Sequence, residues 1–249
     1  THQLSLLKTK KARKSKKTNK FKIKNNLHNN LLISLNFDLT EAQSRCIREI
    51  HEDLSNTEPM LRLLQGDVGS GKTIVAVFSL IQAVENDFQT AVMAPTEILA
   101  RQHLQNFTEY LNPLSIQIAF LSGSQNTQER REQLELIESG KAKVIIGTHA
   151  LFQESVNFNN LSLVIIDEQH KFGVHQRLSL SQKANKTPHQ LVMTATPIPR
   201  SLTMSAYADL DTSVIDELPP GRQLVETVAL SNSRRDELIE KIRKISDDG

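Results

Sequence analysis

The glycine-rich segment at residues 66–73 strongly constrains what this chain can fold into. Its sequence, GDVGSGKT, matches the phosphate-loop pattern G-x4-G-K-[ST] and lies between an apolar segment and a segment of helical spacing. Only nine of the 249 residues are glycine, and three of them fall here. Glycines let backbone N–H groups converge on phosphate oxygens, and the following helix N-terminus adds a favourable partial charge. The pattern predicts a strand, a nucleotide-binding loop and a helix, with these loop residues as nucleotide ligands: Gly66, Asp67, Gly69, Ser70, Gly71, Lys72 and Thr73.

Two carboxylates follow an apolar run further along the chain. Residues 161–167 predict a buried strand that ends in Asp167, and Glu168 comes next. Ligands of parallel sheets bind at the C-terminal ends of the strands. Beside a phosphate loop, we expect Lys72 to reach the β- and γ-phosphates, and Thr73 and Asp167 to hold Mg²⁺. Glu168 is predicted to orient and activate the attacking water, so the predicted cofactors are ATP and Mg²⁺.

Strand and helix candidates alternate along the chain. Residues 144–146 and 163–166 are apolar throughout, which is typical of strands covered on both faces. This alternation predicts an α/β fold, a mainly parallel sheet with helices on both faces. Another predicted helix has Thr40 and Gln43 as a capping box and Cys46 in its core stripe. The predicted strands are 61–65, 90–94, 116–120, 143–147, 161–167 and 190–194, and the other predicted helices are 72–84, 97–111, 128–138, 200–207 and 233–245.

Positive charge is concentrated at the start of the chain. The formal net charge is only +2, but residues 1–37 hold ten of the thirty Lys and Arg residues and no Asp or Glu. The basic block at 8–24 is either a phosphate-binding segment or a solvated linker or packed surface element. A Pro-Pro-Gly break at 219–221 ends the compact body. We predict a basic, partly flexible lead-in at 1–36, a nucleotide-binding domain at 37–222, and a linker with the truncated start of a further domain at 223–249.

Two absences in the sequence exclude whole classes of protein. No apolar run approaches the length of about 18 to 20 residues that a membrane helix needs, so we expect no membrane partner. Cys46 is the single cysteine, which excludes an intramolecular disulfide and a cysteine-based zinc site. A reducing, cytoplasmic location is therefore expected.

Several segments carry a family resemblance. The sequence DEQH, which begins at Asp167, resembles motif II of superfamily 2 helicases and translocases. Other strings resemble the superfamily's adenine-binding segment, motif Ia, two strand-contact loops and motif III. They are FDLTEAQ (37–43), MAPTEILA (93–100), LSGS (121–124), IGTHAL (146–151) and MTATPIPR (193–200). The resemblance implies a RecA-like domain that hydrolyses ATP.

Longer strings are closer to one branch of this superfamily. LQGDVGSGKT (64–73), the string at 93–100, DEQHKFG (167–173) and DELPPGR (216–222) resemble the RecG family of bacterial branch-migration helicases. The alternative is a transcription-repair coupling type of translocase, and Gln169 favours the RecG family because Glu is expected there in the alternative. The resemblance implies ATP-driven remodelling of branched or forked DNA in recombination and repair.

The resemblance also implies roles around the nucleotide. Gln43 can make a bidentate contact with adenine, because its amide both donates and accepts. Phe37 packs either on the base or in the core. His170 is implied to sense the γ-phosphate. The residues implied to couple the nucleotide site to the DNA-binding face are Gln169, Thr194 and Thr196.

Three hydroxyl residues are implied to contact DNA. Thr96, Ser124 and Thr148 stand at loop or helix starts, where a hydroxyl suits a phosphate contact but is also an ordinary helix cap. The resemblance further implies a wedge domain and a second motor domain of the same polypeptide, the latter supplying an arginine finger. We expect a monomer, and we expect these 249 residues alone to be nearly inactive. The alternative from another class is a non-catalytic nucleic-acid-binding fragment, which the intact Lys72 and Glu168 disfavour.

Overall fold

The strands of the chain form one parallel sheet. A computed structural model describes residues 17–168, 183–196, 210–217 and 229–247. Within these residues, seven strands pair in the order β3-β4-β2-β5-β6-β1-β7, and all neighbours are parallel. The strands are β1 (Leu61–Gly66), β2 (Gln89–Met93), β3 (Ile118–Leu121), β4 (Val144–Gly147), β5 (Leu161–Asp167), β6 (His189–Thr194) and β7 (Asp211–Ile215). The predicted α/β fold with a mainly parallel sheet is confirmed.

Apolar side chains bury the central strands on both faces. Every residue of β2 and β4 is buried, and in β5 only the final Asp167 is partly exposed. The six predicted strands agree with the structure to within two residues at each end. Strand β7 was not predicted, because it lies at an edge of the sheet and its sequence, DTSVI, has a short apolar run and half-exposed positions.

Helices cover the two faces of this sheet. They are α1 (Asn26–Ser34), α2 (Glu41–Leu54), α3 (Lys72–Glu85), α4 (Glu97–Leu111) and α5 (Thr127–Glu138). A further helix, α6 (Arg235–Asp247), follows later in the chain. Successive residues of β2 face opposite sides: Val92 packs in the core with α2, α3 and α4, whereas Ala91 and Met93 pack in the core with α5. The predicted helix at 200–207 lies outside the described residues. Of the helices that the structure describes, none combines the length and the apolar character needed to cross a membrane.

Helix α2 begins with the predicted capping box. The Thr40 hydroxyl accepts a hydrogen bond from the Gln43 backbone N–H, and Gln43 Oε1 accepts one from the Thr40 N–H. Cys46 is fully buried, as predicted. The chain divides into two compact units, Thr1–Pro219 and Pro220–Gly249, and helix α6 lies in the second. The domain boundaries after residues 36 and 222 stay predictions.

Part of the basic lead-in packs against the body of the first unit. Phe21 is fully buried, its N–H donates to the Leu54 carbonyl, and its ring stacks on Phe88 with centroids 5.0 Å apart. Lys24 Nζ donates to the carbonyl of Glu85, the last residue of α3, where a helix dipole favours a cation. Of the interpretations left open for the basic block, residues 17–24 fit a packed surface element.

His189 fixes this lead-in to the sheet. Nδ1 of His189 accepts from the Met60 backbone N–H at 3.1 Å, and Nε2 contacts the Asn19 carbonyl at 2.8 Å. Because a backbone N–H can only donate and a carbonyl can only accept, the ring is neutral with its proton on Nε2. Burial lowers the pKa of His189 to about 4.

This histidine predicts a loss of stability in mild acid. An unfolded histidine titrates near 6.5, so between pH 6.5 and about 4 the unfolded chain binds more protons than the folded chain. The contribution of His189 to the free energy of unfolding is therefore fully present above pH 6.5, and it falls by roughly 3 kcal/mol as the pH decreases to about 4. Burial also lowers the pKa of His51 to about 4, so it acts in the same window. Urea unfolding of the 249-residue chain at several pH values measures the effect.

His189→Gln separates this histidine from the carboxylates that also titrate in acid. Glutamine can keep one donor and one acceptor at this position without taking up a proton. We expect the free energy of unfolding of His189→Gln to depend less on pH than that of the wild type, with exposed His149→Gln as the control. Identical pH dependence in His189→Gln and the wild type would contradict the assignment.

Candidate active site

The predicted phosphate loop joins β1 to α3. Gly69 and Gly71 have φ angles of 76° and 89°, in the left-handed region that glycine adopts without strain. A Cβ atom on Gly71 would also clash with Nε2 of Gln43, and one on Gly66 with the Ser70 hydroxyl. The loop ends at the N-terminus of an α-helix, which is a natural anion-binding site. Backbone conformation therefore favours glycine at 69 and 71, and a side chain at 66 or 71 would have to displace Ser70 or Gln43.

Lys72, the first residue of α3, folds back over its own loop. Its Nζ donates to the carbonyls of Gly66 at 2.7 Å and Asp67 at 2.9 Å. Burial lowers the pKa of Lys72, while the nearby carboxylates of Asp167, Glu168 and Asp67 act in the opposite direction. The ammonium thus lies among carbonyl oxygens and acidic groups, in a place where phosphate oxygens could replace the carbonyls.

Gln43 connects helix α2 to the phosphate loop. It is only 2% exposed, and its Nε2 donates to the Ser70 carbonyl at 2.9 Å while its Oε1 serves the capping box. Sequence reasoning missed this contact with the loop. Phe37, upstream of the helix, is 43% exposed and is therefore not a core residue. The predicted adenine contacts of both residues stay predictions.

Two acidic residues of the string DELPPGR also hold helix α2, which sequence reasoning missed. Oε2 of Glu217 accepts from the Ala42 N–H at 3.0 Å in the first turn of the helix, where a carboxylate is favoured. Asp216 pairs with Arg45 at 2.7 Å, and a hydrogen bond from Arg45 holds the pKa of Asp216 below its ordinary value. The end of the first unit is thereby joined to the helix that carries Gln43.

The Glu168 carboxylate, just after β5, meets the loop that follows β6. Glu168 Oε1 accepts from the Ala195 N–H at 3.0 Å, and Oε2 accepts from the Thr194 hydroxyl at 3.3 Å. The Thr194 hydroxyl also lies 2.9 Å from that of Thr196. Glu168 has a φ of 51°, which costs a non-glycine residue about 1 to 2 kcal/mol. The structure therefore brings together the predicted water-activating and coupling residues, whereas Gln169 and His170 lie outside the described residues.

The span of the family match includes the phosphate loop, the end of β5 and the loop after β6. The DEAD/DEAH box helicase family matches residues 40–205, which is more than half of the chain. The chain belongs to the DEAD/DEAH box helicase family.

Relatives of this helicase domain are much longer proteins. RecG from Escherichia coli O157:H7 is 56% identical over 220 residues, which cover 87% of this chain and 32% of the relative. RecG from Aquifex aeolicus is 48% identical over 243 residues, which cover 97% of this chain and 31% of that relative. A solved structure of RecG bound to a three-way DNA junction is similar with a TM-score of 0.89 and 42% identity, covering 99% of this chain and 33% of that one. The chain spans about a third of the length of these relatives, and the predicted resemblance to the first motor domain of RecG is confirmed.

The predicted DNA contacts of the helicase domain follow three adjacent strands. Thr96 follows β2 and Ser124 follows β3, and both are exposed. Thr96 caps α4 by accepting from the Leu99 N–H, and the Ser124 hydroxyl donates to Glu97 at 2.5 Å. Thr148, after β4, is only 3% exposed, and its hydroxyl has no hydrogen-bond partner within the described residues. Thr96 and Ser124 can therefore meet a ligand directly, whereas the Thr148 hydroxyl is covered.

His103 in α4 is a site residue of the helicase domain that sequence reasoning missed. Its Nε2 lies 2.8 Å from Oδ2 of Asp167, the carboxylate predicted to hold Mg²⁺. The sequence contained one signal: His103 shares the helical stripe of Ala100, Phe107 and Leu111, which is buried. A histidine in such a stripe needs a polar partner, but nothing in the sequence identified that partner across 64 residues.

Proposed function

We propose that this chain is the ATP-hydrolysing motor domain of a DNA helicase that remodels branched DNA, in fork reversal and Holliday-junction migration. The observation that carries the proposal is the phosphate loop after β1, where Lys72 Nζ lies on the Gly66 and Asp67 carbonyls, together with Asp167 at the same end of the parallel strand β5. The relatives named RecG, one of them solved on a three-way DNA junction, support branched DNA as the substrate.

Nucleotide binding would proceed by an exchange of hydrogen bonds. The Lys72 ammonium would leave the Gly66 and Asp67 carbonyls for phosphate oxygens, and the N–H groups at the start of α3 would receive the same anion. The Thr73 hydroxyl and the Asp167 carboxylate would hold Mg²⁺, which neutralises charge on the β- and γ-phosphates when bound. Within the described residues, no group of three or more His, Cys, Asp or Glu could hold a metal. Few protein ligands suit Mg²⁺ here, because phosphates and water complete its coordination.

Glu168 would orient and deprotonate the attacking water. Its carboxylate is held by the Ala195 N–H and the Thr194 hydroxyl, and an ionised carboxylate has about four acceptor positions in all. Since Thr194 also contacts Thr196, a movement of this loop would displace the carboxylate. In this proposal Gln169 and His170 report the γ-phosphate to the same loop.

The DNA-binding face would lie at the ends of β2, β3 and β4. A phosphate could accept from the Thr96 or Ser124 hydroxyl, and the Ser124 hydroxyl would then leave Glu97. Hydrogen bonds from Ser124 and Arg101 hold the pKa of Glu97 below its ordinary value. The ionised Glu97 carboxylate therefore favours the arrangement in which the loop after β3 stays bonded to the start of α4. A wedge domain and a second motor domain with an arginine finger would complete a monomeric machine that works on DNA in the bacterial cytoplasm.

The proposal predicts a preference for branched DNA. In the full-length protein that contains this domain, we expect a three-way junction to stimulate ATP hydrolysis at about tenfold lower concentration than a linear duplex of equal length. The added contacts at the branch would supply about 1.4 kcal/mol for this difference. Phosphate release measured across a range of concentrations of each DNA tests it.

The control for that comparison is a linear duplex that has the same length and base composition as the junction but no branch point. Equal half-stimulating concentrations for junction and duplex would contradict the branched substrate. Hydrolysis that no DNA stimulates would contradict the motor function itself.

A further inference from the structure

We propose that His103 is a positioning residue that orients the Asp167 carboxylate for Mg²⁺, an inference that rests on the function proposed above. Nε2 of His103 lies 2.8 Å from Oδ2 of Asp167. The two side chains are only 10% and 14% exposed, so little water competes for the contact. Because a carboxylate oxygen can only accept, the proton lies on Nε2 and is donated to Asp167.

Helix α4 holds the imidazole in place. His103 belongs to the buried stripe of this helix, and the ring of Phe107, one turn later, stacks on it with centroids 5.7 Å apart and planes at 22°. Nδ1 of His103 is buried and has no hydrogen-bond partner in the part of the chain that the structure describes. No second hydrogen bond in that part therefore competes with Asp167 for the ring.

Asp167 needs such a partner because its terminal torsion is soft. The χ2 angle of aspartate is broadly distributed, so an unsupported carboxylate turns easily. Among the described residues, His103 is the one side chain that donates a hydrogen bond to this carboxylate. The bond engages Oδ2 and leaves Oδ1 for a cation. Hydrogen bonds of this kind orient metal ligands, and their removal typically costs about 10- to 100-fold in metal affinity or activity.

The test compares His103→Leu with His103→Gln in the full-length protein. Glutamine can place an N–H near the position of Nε2, whereas leucine fills similar space without a donor. Equilibrium binding of a fluorescent ADP is followed as Mg²⁺ is titrated, so the result does not depend on hydrolysis. We expect His103→Leu to raise the Mg²⁺ concentration at half-saturation about 10- to 100-fold, and His103→Gln to restore it to within about threefold. ADP binding without Mg²⁺ is expected to stay unchanged in both variants.

His51→Leu is the matched control, since it makes the same change in a histidine whose Nε2 contacts the Phe78 carbonyl on α3. Its half-saturating Mg²⁺ concentration should equal that of the wild type. His103→Met replaces the leucine variant if that variant does not fold. An unchanged Mg²⁺ requirement without the histidine donor, or an equal defect in His103→Gln, would overturn the proposal. So would a loss of ADP binding in His103→Leu that is the same with and without Mg²⁺.

This design also separates the inference from the proposed function. Hydrolysis by the wild type on branched DNA is measured independently. If that hydrolysis fails, the proposed function is contradicted, while the Mg²⁺ titration still decides whether His103 positions Asp167.

Discussion

Lys72→Ala in the full-length protein is expected to lower the rate of ATP hydrolysis by about 100- to 1,000-fold, the cost of removing one preorganised donor from a reacting site. The wild-type ammonium already lies within hydrogen-bond distance of the Gly66 and Asp67 carbonyls at the mouth of the loop. Its removal also takes away a positive charge that interacts with the carboxylates of Asp67, Asp167 and Glu168. Binding of ATP should therefore weaken as well. Phosphate release under saturating branched DNA and titration with a fluorescent nucleotide measure both effects.

Lys143→Ala is the control for this lysine. Lys143 pairs with Asp87 at 2.5 Å and precedes β4, so it lies at the opposite edge of the sheet from the phosphate loop. We expect hydrolysis by Lys143→Ala to stay within about twofold of the wild type, because a partly exposed ion pair contributes at most about 1 kcal/mol of stability. Near-normal hydrolysis by Lys72→Ala would contradict the assignment of this loop as the phosphate site.

Glu168→Gln is expected to separate nucleotide binding from hydrolysis. Glutamine has the same shape but cannot accept a proton, so the chemical step should slow by about 10²- to 10⁴-fold. Its Oε1 can still accept from the Ala195 N–H, so the loop after β6 keeps its anchor. Binding of ATP should remain within about threefold of the wild type, because Lys72 and the loop glycines are untouched. Single-turnover hydrolysis of pre-bound ATP isolates the chemical step from binding.

The exposed Glu138 at the end of α5 offers a matched control, since Glu138→Gln makes the same change away from the site. Its hydrolysis rate should equal that of the wild type. If Glu168→Gln hydrolysed pre-bound ATP at the wild-type rate, Glu168 would not be the general base. If it failed to bind ATP, its role would instead be structural.

Much of the fold was predictable because apolar runs determine the buried strands. The apolar runs at 144–146 and 163–166 indicate strands that are covered on both faces, and both form interior strands of the sheet. Strand β7 and helix α1 were not predicted, because their stability depends on partners distant in sequence rather than on their own periodicity. The burial of Phe21 is another case: the contact with Phe88 that holds it cannot be inferred from a lysine-rich segment.

The candidate site was predictable where its functional residues are neighbours in the sequence. The glycines, lysine and threonine of the phosphate loop lie within one short segment. The carboxylates of Asp167 and Glu168 could be identified because they directly follow an apolar strand. Contacts between distant segments were missed, such as the hydrogen bonds of Gln43 to Ser70 and of His103 to Asp167. Burial of Thr148 was also missed, because a helix-start hydroxyl has the same sequence pattern whether it is covered or exposed.

The most direct test of the central claim is ATP-dependent strand displacement on a labelled three-way junction by the full-length protein. A motor driven by Lys72 and Glu168 should separate the junction strands with ATP, and should not do so with ADP. Glu168→Gln should bind the same junction with ATP and leave its strands paired. Equal strand separation by the wild type and Glu168→Gln, or separation that proceeds with ADP, would contradict the account.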